Sequence, residues 1–89
     1  MNKSVTITVE GRVQGVGFRY HTKRTALKYN INGYVKNQMD GSVYIEAEGE
    51  ETDLDRFIYW CRQGPAWARV DNFKLTDNQF MKYSGFTVR

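Results

Sequence analysis

Eighty-nine residues with 40% apolar and 15% aromatic side chains build one modest hydrophobic core, so residues 1–89 are read as one domain. The net charge of +3 favours anionic partners without naming one. A lone cysteine, Cys61, allows no intramolecular disulfide, and with a lone histidine, His21, it cannot assemble a structural zinc site, which points to a reducing, cytoplasmic setting.

Val5, Ile7 and Val9 alternate with Thr6 and Thr8, the period of a half-buried strand from Ser4 to Glu10 and not the unbroken apolar core of a signal peptide. No stretch is long enough to cross a bilayer. From Phe18, the residues Phe18, Thr22, Ala26 and Tyr29 draw one stripe down a helix, which Asn30 is suited to end in the left-handed conformation. Gly33–Gln38 and Ser42–Glu48 flank Asp40-Gly41, a strong hairpin signal. On the second arm, Val43, Ile45 and Ala47 point one way and Tyr44, Glu46 and Glu48 the other.

Leu54, Phe57, Ile58 and Cys61 then fall at i, i+3, i+4 and i+7, after a Thr52-x-x-Asp55 cap signal and before a Gly64-Pro65 stop. This predicts a second helix with Cys61 on its buried stripe. Ala68–Leu75 reads as a strand with a bulge where the alternation of Val70, Phe73 and Leu75 slips. A short last strand has Phe86 and Val88 facing inward. Strand, helix, strand, strand, helix, strand is the order of the ferredoxin-like α+β sandwich, an antiparallel sheet with two helices on one face.

Between the first strand and first helix stands Gly11-Arg-Val-Gln-Gly-Val-Gly-Phe-Arg19. In the predicted topology the first and second strands run parallel, so this loop and Asn37, at the end of the second strand, become neighbours. Gly15 and Gly17 permit a sharp turn and close approach of a ligand to the main-chain N–H groups. The loop enters a helix whose unpaired N–H groups favour an anion, and Arg19 projects a planar fork of donors matched to phosphate or carboxylate oxygens. Spacing alone leaves two readings open: an anion cradle, or a glycine-rich turn whose arginine caps nearby carbonyls. The loop is neither a Walker motif nor a dinucleotide fingerprint.

Gly11–Arg19, followed by Gly33-Tyr-Val-Lys-Asn37, Asp40-Gly-Ser-Val43, Glu46-Ala-Glu-Gly49 and the run from Phe57 to Val70, resembles the acylphosphatase family over nearly the whole chain. The resemblance implies hydrolysis of the carboxyl–phosphate bond of acyl phosphates without metal or cofactor. It implies a phosphate-binding role for Arg19, a water-positioning role for Asn37, and a backbone cradle over Gln14, Gly15, Val16, Gly17 and Phe18. Asn30 and Tyr34 depart from the family's commoner glycine and tryptophan, and Gln38 stands beside Asn37.

The chemistry is coherent without the family name. An asparagine takes no proton at neutral pH, and His21, ~200° around the helix from Arg19, points away from the loop. A site made only of positioning and charge stabilisation suits a good leaving group, hence an acyl phosphate over a phosphate monoester. The expected partners are a small acyl phosphate and inorganic phosphate or sulfate, with no membrane, no nucleic acid and a monomeric chain.

Other residues have blander readings beside their functional ones. Cys61 is read as core. Lys23, Arg24 and Lys28 are read as a solvated helix face, against substrate steering or nucleic-acid contact. Tyr44 would serve as a base-stacking platform in an RNA binder, but the Arg/Lys-Gly-aromatic core of that motif is absent and Glu46 and Glu48 share its face. Arg12 either reinforces the cradle or forms a salt bridge holding the loop. Two other function classes remain beside the enzyme: an anion-binding regulatory module, and a basic nucleic-acid-binding domain.

Overall fold

The computed structural model describes residues 1–89. The elements are β1 (Asn2–Arg12), α1 (Phe18–Lys28), β2 (Asn32–Asn37), β3 (Val43–Glu50), α2 (Glu51–Gln63), β4 (Arg69–Asp77) and β5 (Phe86–Val88). All strands join one sheet in the order β4-β1-β3-β2-β5, and both helices lie on one face. No helix is long and apolar enough to cross a membrane.

The core is the intersection of the periodic stripes. Val5, Ile7 and Val9 of β1, Val35 of β2 and Val43, Ile45 and Ala47 of β3 meet Phe18 and Ala26 of α1 and Leu54, Phe57 and Cys61 of α2. The register follows the alternation, with Ile7 opposite Ile45 and Val35 opposite Ile45 on its other side, so one face of three neighbouring strands is apolar. Gly33 lies in β2 at φ 141°, and a Cβ there would sit 1.9 Å from the Glu46 carbonyl oxygen. Only glycine lets β2 approach β3 this closely.

Several expectations are corrected. The sheet is mixed: β5 pairs with β2 in parallel, Gly33 opposite Phe86 and Val35 opposite Val88. The chain leaves β4 at one edge and crosses to the opposite edge before β5 begins, so it enters beside β2 in the same direction. Val88, expected to face inward, is exposed, because β5 is an edge strand. The bulge falls in β4 as expected: Glu10 opposes Asn72 while Gly11 opposes Val70, leaving Asp71 as the extra residue. The cap of α2 is Glu50 and not Thr52; its carboxylate accepts the Thr52 N–H at 2.9 Å, and the helix starts at Glu51. A carboxylate at this end also complements the helix dipole.

The largest departure concerns the sheet face away from the helices. Glu48, which lies with Tyr44 and Glu46 opposite Val43, Ile45 and Ala47 as expected, is 2% exposed and accepts the backbone N–H groups of Met81 and Tyr83. The segment between β4 and β5 lies across this face as a strap. Glu46 beneath it accepts hydroxyls from Tyr34 (3.0 Å), Tyr44 (2.6 Å) and Tyr83. Tyr44 is therefore no open stacking platform. Burial works against the charge on Glu46, but donation from Tyr44, Tyr83, Tyr34 and Asn78 outweighs it and holds the carboxyl below its ordinary range.

A carboxyl whose pKa is depressed by folding adds stability above its unfolded value, and that contribution disappears as pH falls through the folded value. Glu46→Gln should therefore be less stable than wild type at pH 7, by about 1–2 kcal/mol. The gap should narrow as pH falls below the ordinary carboxyl range and wild type loses its charge through its lowered folded value. Urea unfolding at pH 7 and pH 3 checks this; a gap unchanged between them contradicts the assignment.

Candidate functional site

After the bulge at Gly11, β1 pairs with β4 only as far as Arg12 opposite Arg69, and the loop begins there. Val13 is buried and pins the start of the loop. Next to it, the Gln14 side-chain amide donates to the carbonyls of Gln38 (2.8 Å) and Ser42 (2.9 Å), tying the loop to the base of the β2–β3 hairpin. That base is itself closed by Gln38 N–H to the Ser42 carbonyl and by Asp40, which accepts the N–H and hydroxyl of Ser42. Loop and hairpin are thus one braced unit.

Gly15 and Gly17 have φ of 75° and 79°, the left-handed region. Alternating such residues with ordinary ones turns successive N–H groups toward a common side. None of the N–H groups from Gln14 to Gly17 donates to a protein acceptor. The first bond of α1 runs from His21 N to the Gly17 carbonyl, which leaves the opening N–H groups of the helix free as well. No acidic residue lies in the first turn to occupy them.

The opening of this loop is a cleft of about 330 Å³ lined by Val13, Gly15, Gly17, Phe18, Arg19, Tyr20, Asn37 and Val88. Three of the five expected cradle residues, Gly15, Gly17 and Phe18, come together here with Arg19 and Asn37. Asn37 arrives from the end of β2, which runs parallel to β1, and its side-chain amide makes no hydrogen bond within the chain. Gln14 and Val16 do not line the opening: the first is the brace, and the second packs its side chain against the core. Their contribution is confined to the main chain.

Arg19 is half-buried, and its Nη1 donates to the Arg89 main-chain oxygen at 3.1 Å. The carbonyl-capping reading of Arg19 thus holds for one of its five donors, and the rest of the fork is uncommitted. Arg89 is held in turn: its N–H donates to the Val35 carbonyl, and its guanidinium lies 3.7 Å from the centre of the Tyr34 ring. Sequence reasoning missed Arg89, Val88 and Tyr20 as neighbours of the site. No local signal announces a residue seventy positions away.

The remaining candidates fall outside the cleft. Arg12 is exposed and forms no ion pair, so the salt-bridge reading is corrected: the bulge and the Gln14 brace already hold the loop. The His21 ring rests against the other side of Gly17 and lines a different cleft. Cys61 is fully buried, and burial pushes its thiol pKa up, away from the nucleophilic thiolate. Lys23 is exposed, while Arg24 and Lys28 lie over the rings of Tyr20 and Tyr29. Gln38 donates its side-chain amide to the Ser42 hydroxyl, within the hairpin. No carboxylate, imidazole or thiol lines the opening, so the arrangement offers charge stabilisation and orientation but no strong base.

Known proteins resemble this chain over nearly its whole length. A family model described as Acylphosphatase matches residues 5–88. An acylphosphatase of Thermotoga maritima is 46% identical over 87 residues, covering 98% of this chain and 97% of that protein. One of Mannheimia succiniciproducens is 52% identical over 77 residues, 86% and 80% of the two chains. The crystal structure of acylphosphatase from Bacillus subtilis superposes with a TM-score of 0.94 at 37% identity, covering 100% of this chain and 99% of that one.

Proposed function

The chain belongs to the acylphosphatase family and is an enzyme that hydrolyses the carboxyl–phosphate bond of acyl phosphates; from that premise we propose that Arg19 binds the phosphoryl group and Asn37 orients the attacking water. The observation that carries this reading is the row of unpaired N–H groups from Gln14 to Gly17, opening on one cleft with Arg19 and Asn37. The phosphoryl oxygens sit against these N–H groups and that of Phe18, where the positive end of α1 adds to the field. The uncommitted donors of Arg19 grip two oxygens together.

Asn37 holds a water through its side-chain amide, in line with the scissile bond. The water oxygen forms a bond to phosphorus as the bond from phosphorus to the acyl oxygen breaks, and the carboxylate leaves with the electron pair. The proton of the water passes to a phosphoryl oxygen, since no side chain in the cleft accepts it. Charge accumulating on the phosphoryl oxygens meets donors already in place, so little reorganisation is required. A carboxylate needs no proton to leave, which matches a site without a general acid. One chain supplies every group, supporting a monomeric enzyme of one domain over residues 1–89; its single, buried, free cysteine supports a cytoplasmic location.

The direct test is release of inorganic phosphate from benzoyl phosphate by the purified chain, with and without a chelator. Equal release in both is expected. No release above the uncatalysed rate would leave an anion-binding module in its place. The scheme uses no imidazole, so turnover should stay level between about pH 6 and 8, where a histidine titrates. His21→Ala should have the same profile; an essential group near pH 6.5 that vanishes in this variant would refute the proton path.

A further inference from the structure

The larger cleft of the molecule, about 530 Å³, is a different one, separated from the cradle by Tyr20 and His21. One wall is a stripe of α1: His21, Arg24, Thr25 and Lys28 fall at i, i+3, i+4 and i+7. Facing it are Trp60 of α2 and the turn that carries Trp67. Three lining side chains are basic and none is acidic. None of the three takes part in an ion pair. Trp67 is 77% exposed, so a large indole face meets water at a concave, cationic site.

The scaffold beneath is firm. Trp60 packs on Phe18 at 5.6 Å between ring centres, and its carbonyl accepts the Gly64 N–H at 2.8 Å. The turn closes with Ala68 N–H to the Pro65 carbonyl at 3.0 Å. Arg24 and Lys28 rest over the Tyr20 and Tyr29 rings at 5.8 and 5.3 Å, contacts weaker than a charge-assisted bond to phosphate.

We propose that this cleft is a second ligand site, which binds a nucleoside phosphate with the base stacked on Trp67 and the phosphates on Arg24 and Lys28. Ring and anion are both required by the lining: a simple anion makes no use of the indole, and an uncharged aromatic leaves the cations unpaired. The volume lies in the range of small-molecule sites. Base–aromatic stacking and phosphate neutralisation are the two forces such ligands offer. The site does not depend on the hydrolytic reading, because none of the cradle residues lines it.

Both tryptophans of the chain line this cleft, so intrinsic fluorescence reports on it directly. Titration with ADP is expected to quench emission saturably, with a Kd below about 1 mM. Adenosine alone and inorganic phosphate alone should each bind at least about tenfold more weakly. By calorimetry, Trp67→Ala and the double variant Arg24→Ala/Lys28→Ala should each weaken ADP binding about tenfold or more. Arg19→Ala should bind ADP as wild type does. These substitutions are on exposed or helix-surface positions, and circular dichroism confirms that each variant is folded. The proposal is overturned by absence of saturable binding up to about 10 mM ADP. It is equally overturned if Arg19→Ala abolishes binding while the cleft variants retain it, which would put the phosphates in the cradle. Preference for a long oligonucleotide over ADP, per nucleotide, would assign the face to nucleic acid instead.

Discussion

Arg19→Ala is expected to lower kcat/KM for benzoyl phosphate by about a thousandfold or more, with the fold intact. The guanidinium is the only cationic side chain lining the cradle, so its loss leaves a doubly charged phosphoryl group with main-chain donors alone. Inhibition by inorganic phosphate should weaken with it, by at least about tenfold. The bond to the Arg89 oxygen is also lost, but it is exposed and water replaces the donor, so stability should fall by less than about 1 kcal/mol. Arg19→Lys separates charge from shape. A lysine restores the positive charge without the planar fork, and it should recover only a small part of the activity. Retained phosphate affinity in Arg19→Ala, measured by product inhibition, would remove the guanidinium from the binding role.

Asn37→Ala is expected to divide the two functions that share the cleft. Its side-chain amide has no partner in the chain, and its main chain ends the β2–β3 ladder opposite Val43, so alanine removes the proposed holder of the water and little else. kcat should drop by about 10²–10³, the range for a lost positioning or oriented polar group. Phosphate inhibition should stay within about threefold of wild type, because the phosphoryl oxygens are held by other groups. A variant that turned over benzoyl phosphate at the native rate would show that Asn37 does not hold the nucleophile. If instead turnover fell in proportion to phosphate affinity, Asn37 would be a binding residue and the attacking water would need another holder.

Much of the proposed site was legible because it is short-range. Gly15, Gly17 and Arg19 stand within five positions of one another, and their conformational demands and the helix they open are local. Asn37 required one further step, the parallel course of β1 and β2, which the order of elements supplies. The braces were not legible. Gln14 reads as a cradle residue through its main chain, but its side chain is also a tie to the Gln38 and Ser42 carbonyls, which only the folded hairpin brings within reach.

Periodicity in the chain determined which residues share a face, since the two-residue repeat of a strand and the 3.6-residue repeat of a helix follow from covalent geometry and hydrogen bonding. It placed Val43, Ile45 and Ala47 together, and Glu46 with Glu48. What covers a face was decided by the tertiary structure: Glu48 is buried because a strap more than thirty residues away in sequence donates its Met81 and Tyr83 N–H groups to it. In the same way Val88 is exposed and Arg89 reaches Arg19, because β5 settles at the sheet edge beside β2. An alternating pattern records a preference for one side over the other, whereas burial and long-range contact depend on where the remainder of the chain has gone.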